Sequence, residues 1–305
     1  MPRAGKRVSA ATPIGACTDT QAVDVGFLQL SWAQVAVLGI VQGITELLPI
    51  SSTAHLRVLP GLLGWPDPGS AFSAAMQLAS FAAVVVYFRN DIAQLARAGL
   101  RGVSQGDYRS HDSRILLGIV LGTVPLLVAG VALRSVLNAC HSPLRGLMVI
   151  GCASIGMSLL LALSERIARH DRGYGQIRVR DGLIVGAAQV LALIPGVSRS
   201  GATLTAALFC GMQREAAARF SFLLGLPAIT LGGLYELRVL IKAGLGAPGW
   251  ITLTIGLACA SITAFFAIYG LLHYLERRST WVFVWYRLIF GVAIVAGVAA
   301  GYLQN

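Results

Sequence analysis

The residues able to do chemistry lie in two short stretches. In the first, Gly39 to Leu56 (GIVQGITELLPISSTAHL), a carboxylate, an amide, two serines, two threonines and a histidine interrupt otherwise apolar sequence. An ionisable group at membrane depth costs roughly 2.5–3.5 kcal/mol on insertion scales, which makes Glu46 a functional candidate. Its carboxylate can take a proton or hold a divalent cation, and hard oxygens suit Mg²⁺ or Ca²⁺. Gln42, one turn earlier on the same helix face, can orient Glu46 or a phosphate oxygen but cannot act as a base. Ser51, Ser52 and Thr53 follow Pro49, where each could cap a new helix or act on a ligand. His55 stands at i+4 from Ser51 and i+3 from Ser52, so on a regular helix one imidazole faces either hydroxyl, an arrangement of nucleophile and base. Ser52 is the favoured nucleophile. Ser51, His55 and a metal-activated water on Glu46 stay open.

The second stretch, Gly186 to Thr203 (GAAQVLALIPGVSRSGAT), repeats the pattern with Pro195 standing 146 positions after Pro49. Ser198, Ser200 and Thr203 supply hydroxyls around Arg199, while Gly196 and Gly201 permit close backbone approach. Arg199 has the planar fork that clamps a phosphate through two hydrogen bonds. With no acidic neighbour in its own segment, it needs an anion from elsewhere, either Glu46 in a resting state or a substrate phosphate.

Proline removes a backbone donor and disfavours helix in the residue before it, so each stretch reads as two half-helices broken at Pro49 and Pro195. The amides that open each second half then point into the break, as at a phosphate site. Positioning these breaks requires a membrane. The chain has 305 residues, 56% hydrophobic and only 12% charged, and its mean hydropathy of +0.72 excludes an ordinary soluble domain. The net charge of +11 does not indicate nucleic acid, because the basic residues fall between apolar blocks. Cys17, Cys140, Cys152, Cys210 and Cys259 are scattered singly and form no metal spacing.

These features predict an all-α polytopic membrane protein with six transmembrane helices and two re-entrant helical hairpins in an inverted repeat. Residues 1–30 read as a loosely ordered extension, and 31–305 as one membrane domain of two repeats, about 31–165 and 181–303. The half-helices at about 32–64 and 181–212 are too short to cross roughly 30 Å. Spans are expected at about 71–88, 114–137, 144–163, 219–241, 250–275 and 282–302. Phe72-Ser73 and Phe220-Ser221 open corresponding spans. Three crossings per repeat make the second repeat start from the opposite face, so the hairpins enter from opposite sides and bring Glu46, Ser51, Ser52 and His55 towards the Arg199 turn. Arginines crowd the loops at about 89–114, 164–181, 212–219 and 276–281, whereas Arg145 and Lys242 are nearly alone on the other side. The Arg-rich face is expected to be cytoplasmic, with both termini outside and the first hairpin opening to the exterior.

QGITELLPISSTAHL and IPGVSRSGAT resemble the two signature motifs of the undecaprenyl-diphosphate phosphatases of the bacterial cell envelope, a family also associated with bacitracin resistance. The resemblance covers roughly residues 30–303. It implies hydrolysis of a C55 polyprenyl diphosphate lipid to its monophosphate and inorganic phosphate in the inner membrane, recycling the carrier for peptidoglycan synthesis. By motif position it assigns Gln42 and Glu46 to the Glu/Gln–Glu site, Ser51, Ser52 and His55 to the Ser/His turn, and Ser198, Arg199 and Thr203 to the phosphate-binding turn. Thr53, Ser200 and Gly201 are read beside them as further substrate-binding residues. Gln42 replaces the family's first acidic position, against any mechanism that needs two carboxylates. Inverted repeats with broken helices also build secondary transporters, so a polyprenyl-phosphate flippase or anion transporter is the alternative. Whether the chain forms a homodimer is left open.

Overall fold

The computed structural model describes residues 25–133, 144, 146–242 and 244–303. The expected extension up to residue 24, Cys17, Cys140, Arg145 and the end of the 114–137 span lie outside the described residues. Every regular element of the described residues is helical. Helix α1 (Trp32–Leu47) starts at a capping box, in which Ser31 accepts from the Gln34 amide and the Gln34 side chain reaches back. It ends at Leu48, whose extended backbone is what a following proline imposes. After the Pro49 break comes α2 (Ser52–Leu63). The second broken stretch gives α7 (Val179–Gln189), a 3₁₀ turn at Val190–Leu193, extended Ile194 before Pro195, and α8 (Arg199–Phe209).

Between and after them run α3 (Ser70–Tyr87), α4 (Arg89–Gln105), α5 (His111–Ala132), α6 (Leu147–Ile167), α9 (Arg214–Lys242), α10 (Ala247–Arg277) and α11 (Trp281–Ala299). Five of these, α5, α6, α9, α10 and α11, are long and apolar enough to cross a membrane, and α3 with its bent continuation α4 supplies the sixth. Side chains such as Val131 (77% exposed) and Phe266 (65%) make an outward apolar surface that lipid, not water, can cover.

One expectation is corrected. Residues 89–105, read as part of a charged loop, form helix α4, bent by 80° from α3. Its charges hid a helical stripe: Leu95, Ala98 and Gly102 are buried on one face.

The packing has the symmetry of a repeat. Helix α1 packs on α10 as α7 packs on α5, α3 meets α10 as α9 meets α5, and the pairs α3–α9 and α6–α11 exchange into themselves. The two seams use the same small-residue spacing. Gly39 and Gly43 of α1 lie on Gly256 and Ala260, and Gly182 and Gly186 of α7 lie on Gly118 and Gly122. A Cβ at Gly182 would stand 2.4 Å from the Gly118 Cα, and one at Gly186 would stand 2.0 Å from the Gly122 carbonyl oxygen. Each broken helix is thus held by the opposite repeat, which brings the two proline turns together.

Candidate active site

Ser51 and Ser198, the residues at which α2 and α8 begin, have φ of 73° and 69°, and they are two of only three non-glycine positive-φ residues among those described. Such a conformation costs about 1–3 kcal/mol and persists where its surroundings impose it. It turns each new helix sharply back into the break. Matching these serines puts Ser52 and Arg199 at corresponding positions, with one extra residue, Gly196, in the second turn. The two turns interlock: the Ser200 hydroxyl contacts the Glu46 and Leu48 carbonyls at 3.2 and 3.0 Å.

Glu46 is the centre of the arrangement and is 8% exposed. Its Oε1 accepts from Arg199 Nη2 at 2.7 Å. Its Oε2 accepts from Gln42 Nε2 at 2.9 Å and from the Ser52 hydroxyl at 2.6 Å. Arg199 also reaches the Gly225 carbonyl at 3.5 Å. A cavity of about 170 Å³ opens onto this group, lined by Glu46, Ser51, Ser52, Thr53, Ser198 and Arg199 among others. No side chain caps α2 at Ser51, whereas Ser198 caps α8 by accepting from the Gly201 amide at 3.1 Å. The cavity therefore borders a helix start without a side-chain cap, which favours an anion.

The remaining residues singled out in the sequence serve the frame. Thr203 is fully buried and donates to the Arg199 carbonyl at 2.9 Å. A Cβ at Gly201 would lie 2.9 Å from Arg287 Nη1. His55 faces away from Ser52: its Nδ1 pairs with the Ser51 carbonyl at 2.8 Å and its Nε2 with the Tyr286 hydroxyl at 2.6 Å, with the ring stacked on Phe290. A carbonyl only accepts, so Nδ1 carries the hydrogen and the Tyr286 hydroxyl donates to Nε2.

Arg287, absent from the sequence reading, is 1% exposed. It donates to the carbonyls of Pro49, Gly196 and Val197, each at 2.9 Å, and so ties both proline turns to α11. An arginine inside an apolar span was the signal available for it.

For a divalent cation the donor set is one carboxylate with neutral oxygens. Among the described residues no three His, Cys, Asp or Glu side chains cluster. Gln42 Oε1 is buried without a partner beside Glu46, however. One carboxylate and an orphaned amide oxygen suit an ion that takes its other ligands from a bound phosphate and water.

Fold and site together define a polytopic membrane protein whose two broken helices enclose a carboxylate, a hydroxyl and a guanidinium in one cavity. The sequence model of the family described as "Bacitracin resistance protein BacA" matches residues 35–293, and the chain belongs to that family. It is 58% identical over 262 residues to "Undecaprenyl-diphosphatase 2" of Mesorhizobium japonicum, covering 86% of this chain and 99% of the relative. It is 50% identical over 281 residues to the "Undecaprenyl-diphosphatase" of Trichormus variabilis, covering 92% and 88% respectively. The "Undecaprenyl-diphosphatase" of Gloeobacter violaceus is 51% identical over 277 residues, 91% of this chain and 95% of that one.

Proposed function

We propose that this protein hydrolyses undecaprenyl diphosphate to undecaprenyl phosphate and inorganic phosphate. The observation that carries this reading is the 2.6 Å bond from the Ser52 hydroxyl to a carboxylate that Arg199 also holds. A hydroxyl beside a base, bordered by a guanidinium and a helix start without a side-chain cap, is equipped to displace at phosphorus. Transport needs no such pair.

In the resting arrangement Arg199 is neutralised by Glu46. An incoming terminal phosphate competes for the guanidinium and frees Oε1. Ser52 Oγ then attacks the terminal phosphorus while its proton passes to Glu46. The bond from that phosphorus to the bridging oxygen breaks, and undecaprenyl phosphate leaves. Glu46 passes that proton to the departing oxygen of undecaprenyl phosphate and then takes one from water, whose oxygen attacks the phosphoserine. The P–Oγ bond breaks, and Glu46 returns the proton to Ser52 Oγ. Glu46 and Gln42 Oε1 would hold Mg²⁺ or Ca²⁺, which would neutralise charge on the phosphate oxygens. His55, bound to the Ser51 carbonyl, fixes the turn that presents Ser52. An apolar cavity of about 390 Å³, lined by Ile44, Leu48, Phe266, Leu271, Tyr274 and Phe283, begins at the same turn and suits part of the isoprenoid tail.

The enzyme is assigned to the bacterial cytoplasmic membrane with the Arg-rich face inside, both termini outside and the first hairpin opening outward. There it would recycle the lipid carrier for peptidoglycan synthesis and confer bacitracin resistance. Purified protein in detergent, given undecaprenyl or farnesyl diphosphate with and without Mg²⁺ or Ca²⁺, should release inorganic phosphate. No release under any of these conditions would shift the reading to a lipid-phosphate carrier.

A further inference from the structure

Gln77 of α3 lines the same cavity as Glu46, Ser52 and Arg199. It is the only carboxamide in α3, whose other polar side chains are serines and the terminal Tyr87, and its side chain makes no hydrogen bond with any described residue. A polar group held in an apolar span without a partner is unfavourable unless water or a ligand satisfies it.

The repeat says which ligand. Phe72-Ser73 and Phe220-Ser221 stand 148 positions apart, and the same spacing pairs Gln77 with Gly225. In the second repeat Arg199 leaves its helix start and reaches the Gly225 carbonyl, and a Cβ at Gly225 would already touch the guanidinium at 3.5 Å. In the first repeat the residue corresponding to Arg199 is the short Ser52, and the position corresponding to Gly225 carries the long Gln77. One repeat places its donor on the short helix and the other on the span. The polar groups around Glu46 are committed: Arg199, Ser52 and Gln42 all donate to it. The Gln77 amide is uncommitted, and can meet a phosphate before the Arg199–Glu46 pair opens.

We propose that Gln77 is a substrate-binding residue whose carboxamide donates to the non-bridging oxygens of the terminal phosphate, across the cavity from the Glu46–Arg199 pair. This rests on reading the cavity as the seat of a lipid diphosphate. A contact made equally in ground and transition states raises KM and leaves kcat alone.

The test uses full-length wild type, Gln77→Leu and Gln77→Glu in detergent with farnesyl diphosphate. Gln77→Leu should raise KM by about tenfold, the loss of one hydrogen bond to a charged group, with kcat little changed. The inhibition constant of inorganic phosphate should rise in parallel. Gln77→Glu keeps the shape, so it reports even if the leucine variant misfolds, and its negative charge should raise KM further. Unchanged KM and phosphate inhibition in a folded variant would overturn the proposal, and so would a fall in kcat alone. Pyrophosphate-induced stabilisation against heat needs no turnover and separates the two claims. If wild type releases no phosphate yet is stabilised by pyrophosphate and Gln77→Glu is not, hydrolysis fails but the Gln77 contact stands. Equal stabilisation of both, or none of wild type, sinks the contact.

Discussion

The Ser52 hydroxyl has a committed acceptor in Glu46 at 2.6 Å, and the imidazole that sequence spacing offered as its base is turned to Tyr286. The spacing argument assumed regular helix from Ser51 onwards. Ser51 instead has φ 73° and lies outside the helix, and within α2 the Ser52 hydroxyl is drawn across the break to Glu46 while His55 Nδ1 pairs with the Ser51 carbonyl. Ser52→Ala and Glu46→Gln should therefore each abolish nearly all turnover, whereas His55→Ala should leave a reduced but measurable rate. In single-turnover reactions in ¹⁸O-water, the first phosphate released should carry label only after hydrolysis of a phosphoserine that rapid acid quench can trap on Ser52. Label with no trapped phosphoprotein, together with an active Ser52→Ala, would make Ser52 a phosphate ligand and Glu46 the base for water. Arg199→Lys keeps the charge but loses the planar fork that spans Glu46 and the Gly225 carbonyl. Its rate should fall at least about tenfold. A rate within about twofold of wild type would reduce Arg199 to a counter-charge for Glu46.

At the scale of elements, what carries the site is the pair of seams α1–α10 and α5–α7, because each broken helix leans on a span of the other repeat. Glycine allows the backbones to touch, and a side chain there has nowhere to go. Gly186→Val would drive a β-branched side chain into the Gly122 backbone, and should cost several kcal/mol by overpacking, about 1–3 or more. Gly156 of α6, where a Cβ meets nothing within 4 Å, is the control. Gly156→Val should melt in detergent close to wild type, and Gly186→Val far below it. Equal melting would show that the seam is plastic. The proline breaks and most spans were legible in the sequence, because proline chemistry and hydropathy act locally. Helix α4 was not, since Arg89, Asp91, Arg97 and Arg101 outweighed the Leu95, Ala98 and Gly102 stripe. Nor was Arg287, whose carbonyl partners lie on two distant proline turns, or Gln77, which has no hydrogen-bond partner among the described residues. The pairing of Arg199 and Gln42 with Glu46 was legible, because charge balance at membrane depth leaves few partners to choose from.

Over the whole molecule, the described loops sort into two faces. On one, Arg172 pairs with Asp181, Arg214 with Glu165 and Arg219 with Asp91, and Thr280 donates to Glu165 at 2.9 Å. These contacts gather the start of α4, the end of α6 and the loop after it, the start of α7, the start of α9 and the α10–α11 turn, the Arg-rich regions that the sequence grouped together. On the other, Phe27 stacks on Phe72, its amide bonds the Pro68 carbonyl at 2.9 Å, and Leu30, Leu245 and Trp65 share its cluster. The arginines are partly exposed while the carboxylates of Asp181 and Glu165 are buried, so these pairs hold the face together and record its sidedness. Which face meets the cytoplasm is then a single binary choice, and the proposed orientation rests on the arginine bias. With all five native cysteines replaced, a cysteine at Val103 on α4, 84% exposed, should be labelled by an impermeant maleimide only from the cytoplasmic side. A cysteine at Tyr302, 88% exposed, should be labelled in intact cells from outside. Labelling of both positions after permeabilisation would show that each is reachable, so failure to label in intact cells reports sidedness. Reversed accessibility would place the first hairpin on the cytoplasmic side. Bacitracin added outside would then no longer compete with substrate at the Ser52 turn, and the enzyme would act on lipid diphosphate only after it had crossed the membrane.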